Sequence, residues 1–324
     1  MAISRSFAAL VGRCEAMEVL KASILRFGPS DLRVHVCGET GTGKELVARA
    51  LHEVSPRGGR KFVAVNVAGF SDELFAAELF GHARGAFTGA VAARDGFVAE
   101  AEGGSLFIDE VGDMSPLSQV RLLRFLQERE YQRLGETLTR HADVRVISAT
   151  NVDLERRVRE GRFRADLQFR LGHERLRLPP LRERGSDILL LARCFLRAQA
   201  AASAGVPPTL GPEAEALLLR YSWPGNVRQL EGEMKRLSVI TAGRVASRED
   251  LSPELQAPLR DAIGGLRELM RLHELEHVRR ALDRHGWVQA RAAAELGITR
   301  QALCAKLRRL GLVERQRPSS FDAA

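Results

Sequence analysis

The stretch that decides the fold occupies positions 38 to 45 and reads GETGTGKE, from Gly38 through Gly43 and Lys44 to Glu45. It has the Walker A spacing G-x-x-x-x-G-K, in which glycines let backbone N–H groups face phosphate oxygens and the lysine adds a positive charge. An alternating strand pattern, Leu32–Cys37, precedes the loop and a helical pattern follows it, which is the context that this motif requires. A glycine-rich turn without a ligand is the alternative.

Outward from the loop, three further apolar stretches are typical of strands and are separated by helical patterns. They are Lys61–Val67, Ser105–Asp109 and Asp143–Thr150. Ser71, and Ser115 followed by Pro116, predict helix N-caps. The second of these helices is predicted to bury one stripe, formed by Leu117, Val120, Leu123 and Leu126. Strands that alternate with helices indicate a parallel sheet covered on both faces, and therefore an α/β fold.

Two adjacent carboxylates, Asp109 and Glu110, end one of these strands. A strand tip can place Asp109 near the phosphates to hold Mg²⁺, directly or through water, and Glu110 can polarise the water that attacks the γ-phosphate. The pair alone is a weak signal, but downstream of a phosphate loop it indicates a nucleoside-triphosphate hydrolase. Glu45 stands where the general pattern has Ser or Thr for Mg²⁺, so metal ligation rests more on other groups.

Composition narrows the class of protein further. The chain has 324 residues, of which 45% are hydrophobic and 28% charged, and this length supports about two domains. No apolar run approaches the ~18–20 residues of a membrane span and no signal peptide is recognisable, so we expect a cytoplasmic protein without a membrane partner. Four scattered cysteines favour reduced thiols over a disulfide framework or a zinc site.

The net charge of +8 is concentrated towards the C-terminus, where positions 260–324 hold thirteen basic and eight acidic residues. Such a basic end favours a nucleic-acid partner, although a charge run is usually a solvated face. An amphipathic helix that could form a dimer surface is predicted from Leu266, Leu269, Leu272, Leu275, Val278 and Leu282. Two helices follow, over 289–296 and 299–310, joined by a tight turn at Gly297; a helical hairpin without DNA contact is the alternative.

Longer stretches resemble the bacterial enhancer-binding activators of sigma-54 RNA polymerase, which are AAA+ ATPases. The stretches are Gly38–Glu45, Glu78–Ala90, Ser105–Glu136, Ala149–Asn151, Phe163–Leu171 and Trp223–Glu231. Gly85–Ala90 reads GAFTGA, the hallmark of that family. The resemblance implies a P-loop AAA+ parallel sheet with a helical lid, followed by an all-α helix-turn-helix domain of the Fis type.

The implied organisation has five parts. They are an α/β ATPase subdomain at 1–178, a helical lid at 179–245, a linker at 246–265, the helix-turn-helix domain at 266–313 and a tail at 314–324. Only 37 residues precede Gly38, too few for a receiver domain of at least ~50 residues. We therefore expect control in trans, by a regulatory partner protein, by a co-activator subunit or by the level of expression.

The resemblance also implies the roles of individual residues in binding and hydrolysing ATP with Mg²⁺. The nucleotide-binding set is Gly38, Glu39, Thr40, Gly41, Thr42, Gly43, Lys44, Glu45, Asp109 and the sensor II arginine Arg228. Glu110 is the catalytic carboxylate, Asn66 the switch residue that pairs with it, and Asn151 sensor I. Arg164 and Arg170 are arginine fingers given to a neighbouring subunit, because a planar permanent charge suits the γ-phosphoryl group. A ring follows, usually a hexamer, of this chain alone or with a paralogous co-activator.

Two macromolecular partners follow from the same resemblance. The loop of Gly85, Ala86, Phe87, Thr88, Gly89 and Ala90 would touch sigma-54, chiefly through Phe87 and Thr88. In the major groove of enhancer DNA, Thr299, Arg300, Gln301 and Lys306 would lie near bases or phosphates, and Arg308 and Arg309 mostly on phosphates. The implied function is ATP-driven remodelling of sigma-54 RNA polymerase from the closed to the open promoter complex. Another AAA+ machine, and a DNA-binding regulator whose ATPase fold is only a scaffold, are the alternatives.

Overall fold

The computed structural model describes residues 5–87, 90–202, 205–241, 243–256, 278, 281, 282, 284, 285 and 287–310. The chain forms two compact units, Met1–Leu255 and Gln256–Ala324. Some of the predictions lie outside the described residues, namely those for Thr88, Gly89, the leucines at 266, 269, 272 and 275, most of the linker, the tail, and the side chains of Arg308 and Arg309. No described helix is long and apolar enough to cross a membrane.

The first unit contains eleven described strands. They are β1 (Val34–Cys37), β2 (Phe62–Asn66), β3 (Gly81–His82), β4 (Arg94–Asp95), β5 (Ser105–Asp109), β6 (Glu130–Tyr131), β7 (Arg140–His141), β8 (Arg145–Thr150), β9 (Glu174–Arg177), β10 (Thr209–Leu210) and β11 (Val245–Ala246). Five of them form a wholly parallel sheet in the order β2-β5-β8-β1-β9. The predicted α/β class is therefore confirmed.

Helices cover both faces of this sheet. The described helices are α1 (Arg5–Ala9), α2 (Glu15–Phe27), α3 (Lys44–Glu53), α4 (Asp72–Phe80), α5 (Phe97–Glu100), α6 (Pro116–Glu128), α7 (Leu154–Arg159), α8 (Ala165–Leu171), α9 (Asp187–Ala202), α10 (Pro212–Arg220), α11 (Asn226–Thr241), α12 (Pro253–Gln256), α13 (Gln289–Glu295) and α14 (Arg300–Leu310). Apolar residues of α2 and α3 pack on one face of the sheet, and those of α4, α6 and α8 pack on the other.

The predicted caps are confirmed, but half of the predicted stripe on α6 is wrong. Ser71 Oγ accepts from the Leu74 N–H, and Ser115 Oγ accepts from the Ser118 N–H. Leu117 and Val120 are 48% and 45% exposed. The helix instead buries the side that holds Gln119, whose amide donates to the Met114 and Arg162 carbonyls at 3.0 Å each. Gln119 can be buried where Val120 was expected because its oxygen is bonded too: Oε1 accepts from the Arg164 N–H at 2.9 Å.

Helices α9, α10 and α11, in the segment predicted to form the lid, pack around the fully buried Trp223. The Trp223 indole N–H donates to the Leu218 carbonyl at 2.9 Å, so the ring is held at both its apolar and its polar end. The predicted helices are thus present, together with the short parallel pair of β10 and β11.

The second unit has its own small core. Two predicted helices are present as α13 and α14, joined by a turn in which Gly297 has φ +64°. Its buried residues are Val278, Ala281, Leu282, Ala292, Ala293, Leu303 and Leu307. The alanines of α13 allow the two helices to pack closely, as predicted, and the two leucines anchor α14.

Candidate functional site

The predicted site residues meet at one edge of the parallel sheet. The phosphate loop follows β1, Asp109 ends β5, and Asn151 follows β8. Cys37 is paired with Thr150, and Asn66 with Asp109, so the strands end side by side. Ligands of open parallel sheets bind outside the carboxyl ends of the strands.

The phosphate loop presents unpaired donors. Its glycines Gly41 and Gly43 have φ values of +78° and +105°, a region that favours glycine. Within the described part of the chain, the N–H groups of Glu39, Thr40, Gly41 and Gly43 donate to no protein acceptor. Helix α3 begins directly afterwards, at Lys44. Such a nest of N–H groups at a helix N-terminus fits a phosphate group.

Lys44 and Glu110 form the buried centre of the site. The Lys44 ammonium donates to the Gly38 carbonyl at 3.1 Å and lies 3.5 Å from Glu110 Oε1. Glu110 Oε2 accepts from the Asn151 N–H at 3.1 Å, and the Asn151 amide donates to Thr40 Oγ1 at 2.9 Å. The structure therefore joins the phosphate loop, Glu110 and Asn151 in one hydrogen-bonded group.

Asn66 reaches the same edge but does not meet Glu110. Its Oδ1 accepts from the Ala68 N–H at 2.9 Å, a local turn, and no hydrogen bond joins these two described side chains. The pairing that the resemblance implies is not present in this structure.

The other carboxylates of the site have distinct surroundings. Burial raises the pKa of the Asp109 carboxyl, against the opposing effect of the Lys44 charge. Glu45 lies on the outer side of α3, where its Oε1 accepts from Arg49 Nε at 3.0 Å and Nη2 at 2.7 Å. The residue that replaces Ser or Thr is therefore engaged in a helix-surface ion pair.

The lid contacts the loop through residues that the sequence interpretation missed. Arg228, the predicted sensor II, touches the loop through its N–H, which donates to the Gly41 carbonyl at 3.2 Å. Arg182, Arg184 and Asn226 bond to loop residues as well. A signal for Asn226 exists in the Trp-Pro-Gly-Asn turn, because asparagine tolerates the left-handed φ of +53° found there.

The predicted arginine fingers lie on the surface around α8. Arg164 forms a two-bond pair with Asp166, at 3.0 and 2.7 Å. Arg170 lies in the last turn of α8, next to Phe169, whose side chain is 76% exposed. Neither arginine side chain bonds to the phosphate loop of its own chain among the described residues.

Backbone hydrogen bonds join the described residues of the GAFTGA loop. Gly85 has φ +78°, its N–H donates to the Ala90 carbonyl at 2.8 Å, and the Ala90 N–H donates to the Phe87 carbonyl at 3.0 Å. The Phe87 ring is 38% exposed and lies 5.0 Å from the His82 ring, edge to face. An aromatic side chain is thus held at the base of the loop with part of its surface free.

In the second unit, Arg300 and Gln301 are exposed at the start of α14, and Lys306 is half-buried further along it. Thr299 is exposed too, but its Oγ1 accepts from the Ala302 N–H at 3.1 Å and so caps the helix. Arg300 and Gln301 are the side chains most available to a groove.

Comparison with known proteins agrees with this geometry. Residues 10–177 match the sigma-54 interaction domain, residues 182–262 the AAA+ ATPase lid domain, and residues 270–310 the Fis family of bacterial regulatory proteins. Among solved structures, NtrX from Brucella abortus in complex with ADP superposes with a TM-score of 0.71 at 36% identity, over 95% of this chain and 71% of that one. NtrX in complex with ATP gives a TM-score of 0.70. The fold is that of an AAA+ domain with its lid.

Curated relatives give the same result. The chain is 46% identical to the transcriptional regulatory protein ZraR of Klebsiella oxytoca over 303 residues, which are 93% of this chain and 68% of that protein. It is 42% identical to the Nif-specific regulatory protein of Azotobacter vinelandii, over 94% of this chain and 59% of that protein. It is 48% identical to NtrC of Salmonella typhimurium, over 76% of this chain and 52% of that protein. The chain belongs to the family of sigma-54-dependent transcriptional activators.

Proposed function

We propose that this protein binds and hydrolyses ATP and uses the energy to convert sigma-54 RNA polymerase from the closed to the open promoter complex. The observation that supports this most is the buried group of Lys44, Glu110 and Asn151 beside a loop of unpaired N–H donors. A scaffold that had lost its activity would have no need of a buried ammonium and carboxylate, which are expensive to desolvate.

In the hydrolysis step, Glu110 accepts a proton from the attacking water, Lys44 neutralises phosphate charge, and Asn151 orients groups near the γ-phosphate. Asn66 acts as the switch residue: it forms its hydrogen bond with Glu110 when bound nucleotide changes the arrangement of the site. The carboxylate oxygens of Asp109 are the donor type that Mg²⁺ prefers, so this residue would hold the ion, directly or through water. When bound, Mg²⁺ supplies charge neutralisation to the phosphates.

The site is completed by a second copy in this proposal. Arg164 and Arg170 are exposed and do not reach their own loop, which suits arginine fingers that act on a neighbour's ATP in a ring, with the hexamer as the expected assembly. Arg228 contacts the nucleotide from the lid.

Two surfaces connect the motor to transcription. The GAFTGA loop, residues 85–90, contacts sigma-54 through Phe87 and Thr88, and the 38% exposed Phe87 ring offers apolar surface to that partner. Helix α14 enters the major groove of enhancer DNA, with Arg300 and Gln301 at base edges or phosphates.

The test is transcription in vitro from a sigma-54 promoter with ATP. Wild-type protein should form open complexes, Lys44→Ala should lose both ATP hydrolysis and transcription, and Thr88→Ala should lose transcription while it still hydrolyses ATP. Val91→Ala is the matched control, because Val91 is 81% exposed directly after the loop. Equal transcription by all four proteins would refute the proposal.

A further inference from the structure

The lid bonds to four consecutive residues of the phosphate loop. Arg182 Nη1 and Nη2 donate to the two Glu39 carboxylate oxygens at 2.8 and 2.5 Å. Asn226 Nδ2 donates to Glu39 Oε2 and to the Thr40 carbonyl, both at 3.1 Å. The Arg228 N–H bonds to the Gly41 carbonyl, and Arg184 Nη2 to the Thr42 carbonyl, each at 3.2 Å.

All of these bonds run in one direction, from lid donors to loop acceptors. A phosphate nest works when its N–H groups face the anion and its carbonyl dipoles point elsewhere. The lid gives the carbonyls of Thr40, Gly41 and Thr42 their partners, whereas the N–H groups of Glu39, Thr40 and Gly41 stay unpaired in the described structure. The lid thereby favours the loop conformation that receives phosphate.

The orientation of the Asn226 amide is fixed. Its side chain is fully buried, and its Oδ1 accepts from the Leu181 N–H at 2.8 Å, which leaves Nδ2 to face the loop. The lid also fits closely here, since a Cβ on Gly41 would lie 2.3 Å from the Gly225 carbonyl oxygen. The Arg182 guanidinium lowers the pKa of Glu39 to about 2, so this pair stays charged at any physiological pH.

We propose that Glu39 is a positioning residue through which Arg182 and Asn226 of the lid hold the phosphate loop in its nucleotide-binding conformation. This inference rests on the proposed function, in that the loop binds the phosphates of ATP. Its consequence is reciprocal: the lid contact strengthens nucleotide binding, and bound nucleotide strengthens the lid contact.

The experiment is a double-mutant cycle on the affinity for a fluorescent ADP analogue. Glu39→Gln and Arg182→Ala should each weaken binding about fivefold, the upper range for a single well-aligned surface ion pair. The double variant should be no weaker than either single variant, because both remove the same contact. In ATP hydrolysis, KM should rise by a larger factor than kcat falls.

The neighbouring ion pair supplies a matched control. Glu183 follows Arg182 in the chain and lies 3.4 Å from Arg177. Among the described residues its side chain makes no bond to the phosphate loop, so Glu183→Gln should bind ADP as the wild type does. Arg182→Lys should recover part of the affinity, which a general folding defect would not allow. Additive losses in the cycle overturn the inference. Absence of ADP binding by the wild type would instead refute the proposed ATPase function.

Discussion

The Nζ atom of Lys44 lies 3.5 Å from Oε1 of Glu110, with side chains only 5% and 10% exposed. The cation assigned to the phosphates and the carboxylate assigned to the attacking water are therefore neighbours within the protein itself. Each charge offsets the desolvation cost of the other, so a substitution that removes one of them leaves the other buried and unpaired.

Lys44→Ala should lower the free energy of unfolding by about 3 kcal/mol, because it leaves the Glu110 carboxylate buried without its cation. Adding Glu110→Gln to Lys44→Ala should restore part of that loss, since the amide is neutral and its Oε1 can still accept from the Asn151 N–H. Urea denaturation of the three proteins measures both effects. A double variant less stable than Lys44→Ala would contradict the prediction.

Asp109→Asn should stabilise the nucleotide-free protein at pH 7 while it abolishes ATP hydrolysis. Burial raises the Asp109 pKa above its ordinary 3.8, so the folded chain binds this proton more tightly than the unfolded chain. Stability from this group is therefore present below pH 3.8 and is lost as the pH rises through the folded pKa. Thermal unfolding at a series of pH values should show the gain of Asp109→Asn at about pH 7 and no gain at about pH 3.5. The same gain at both values would exclude titration as the cause.

Much of the fold and of the nucleotide site could be predicted from the sequence. Walker A spacing and apolar strands are local patterns, so the predicted positions of β1, β2, β5 and β8 agree with the structure to within a few residues. Strand β9 was not predicted, because three of its four residues are charged and only Leu176 is buried. An edge strand that is paired on one side needs little apolar pattern.

The lid contacts could not be predicted for a different reason. Asn226 and Glu39 are 187 positions apart, and no local pattern in either segment predicts the hydrogen bond between their side chains. Asn66 shows the converse. The resemblance implies that it pairs with Glu110, but in the structure its Oδ1 accepts from the Ala68 N–H. Pairings across the chain depend on tertiary packing and not on local pattern.

Arg145→Ala should be among the most destabilising single changes in the first unit. Its side chain is 2% exposed, and its guanidinium donates to the carbonyls of Phe27, Gly28, Leu32 and Leu51 at 2.8–3.4 Å. Leaving these acceptors unpaired should cost about 3 kcal/mol or more. Arg159→Ala, at an exposed position of α7, is the control and should shift the urea midpoint little. Equal midpoints for both variants would contradict the prediction.

Two glycines should respond oppositely to alanine. Gly232 lies in α11 with open space where a Cβ would stand, so Gly232→Ala should raise the free energy of unfolding by about 0.5–1 kcal/mol. Gly41 has φ +78° and the Gly225 oxygen would lie 2.3 Å from an added Cβ, so Gly41→Ala should displace the lid and weaken ADP binding. Calorimetry and ADP titration of the two variants separate these effects. A stable, tightly binding Gly41→Ala protein would show that the lid contact is dispensable.

In DNA binding, Arg300 and Gln301 should behave differently although both are exposed on α14. Arg300→Ala should reduce the slope of log K against log salt by about 1 on any duplex, because one phosphate contact is lost. Gln301→Ala should leave that slope unchanged and relax sequence preference at one base pair. Thr299→Ala should instead lower the melting temperature of the second unit, since it removes a helix cap. Salt titration by fluorescence anisotropy distinguishes the first two variants, and an unchanged slope for Arg300→Ala would remove it from the DNA interface.

The left-handed backbone of Glu110, with φ +57°, has a consequence for protein engineering. Glycine or asparagine would suit that conformation better than glutamate. A search for thermostable variants that ranks substitutions by backbone strain would therefore replace this residue early. Such a variant would leave the Lys44 ammonium buried without its partner and would lose the carboxylate to which we assign the attacking water. Position 110 should therefore be held fixed in any redesign of this protein.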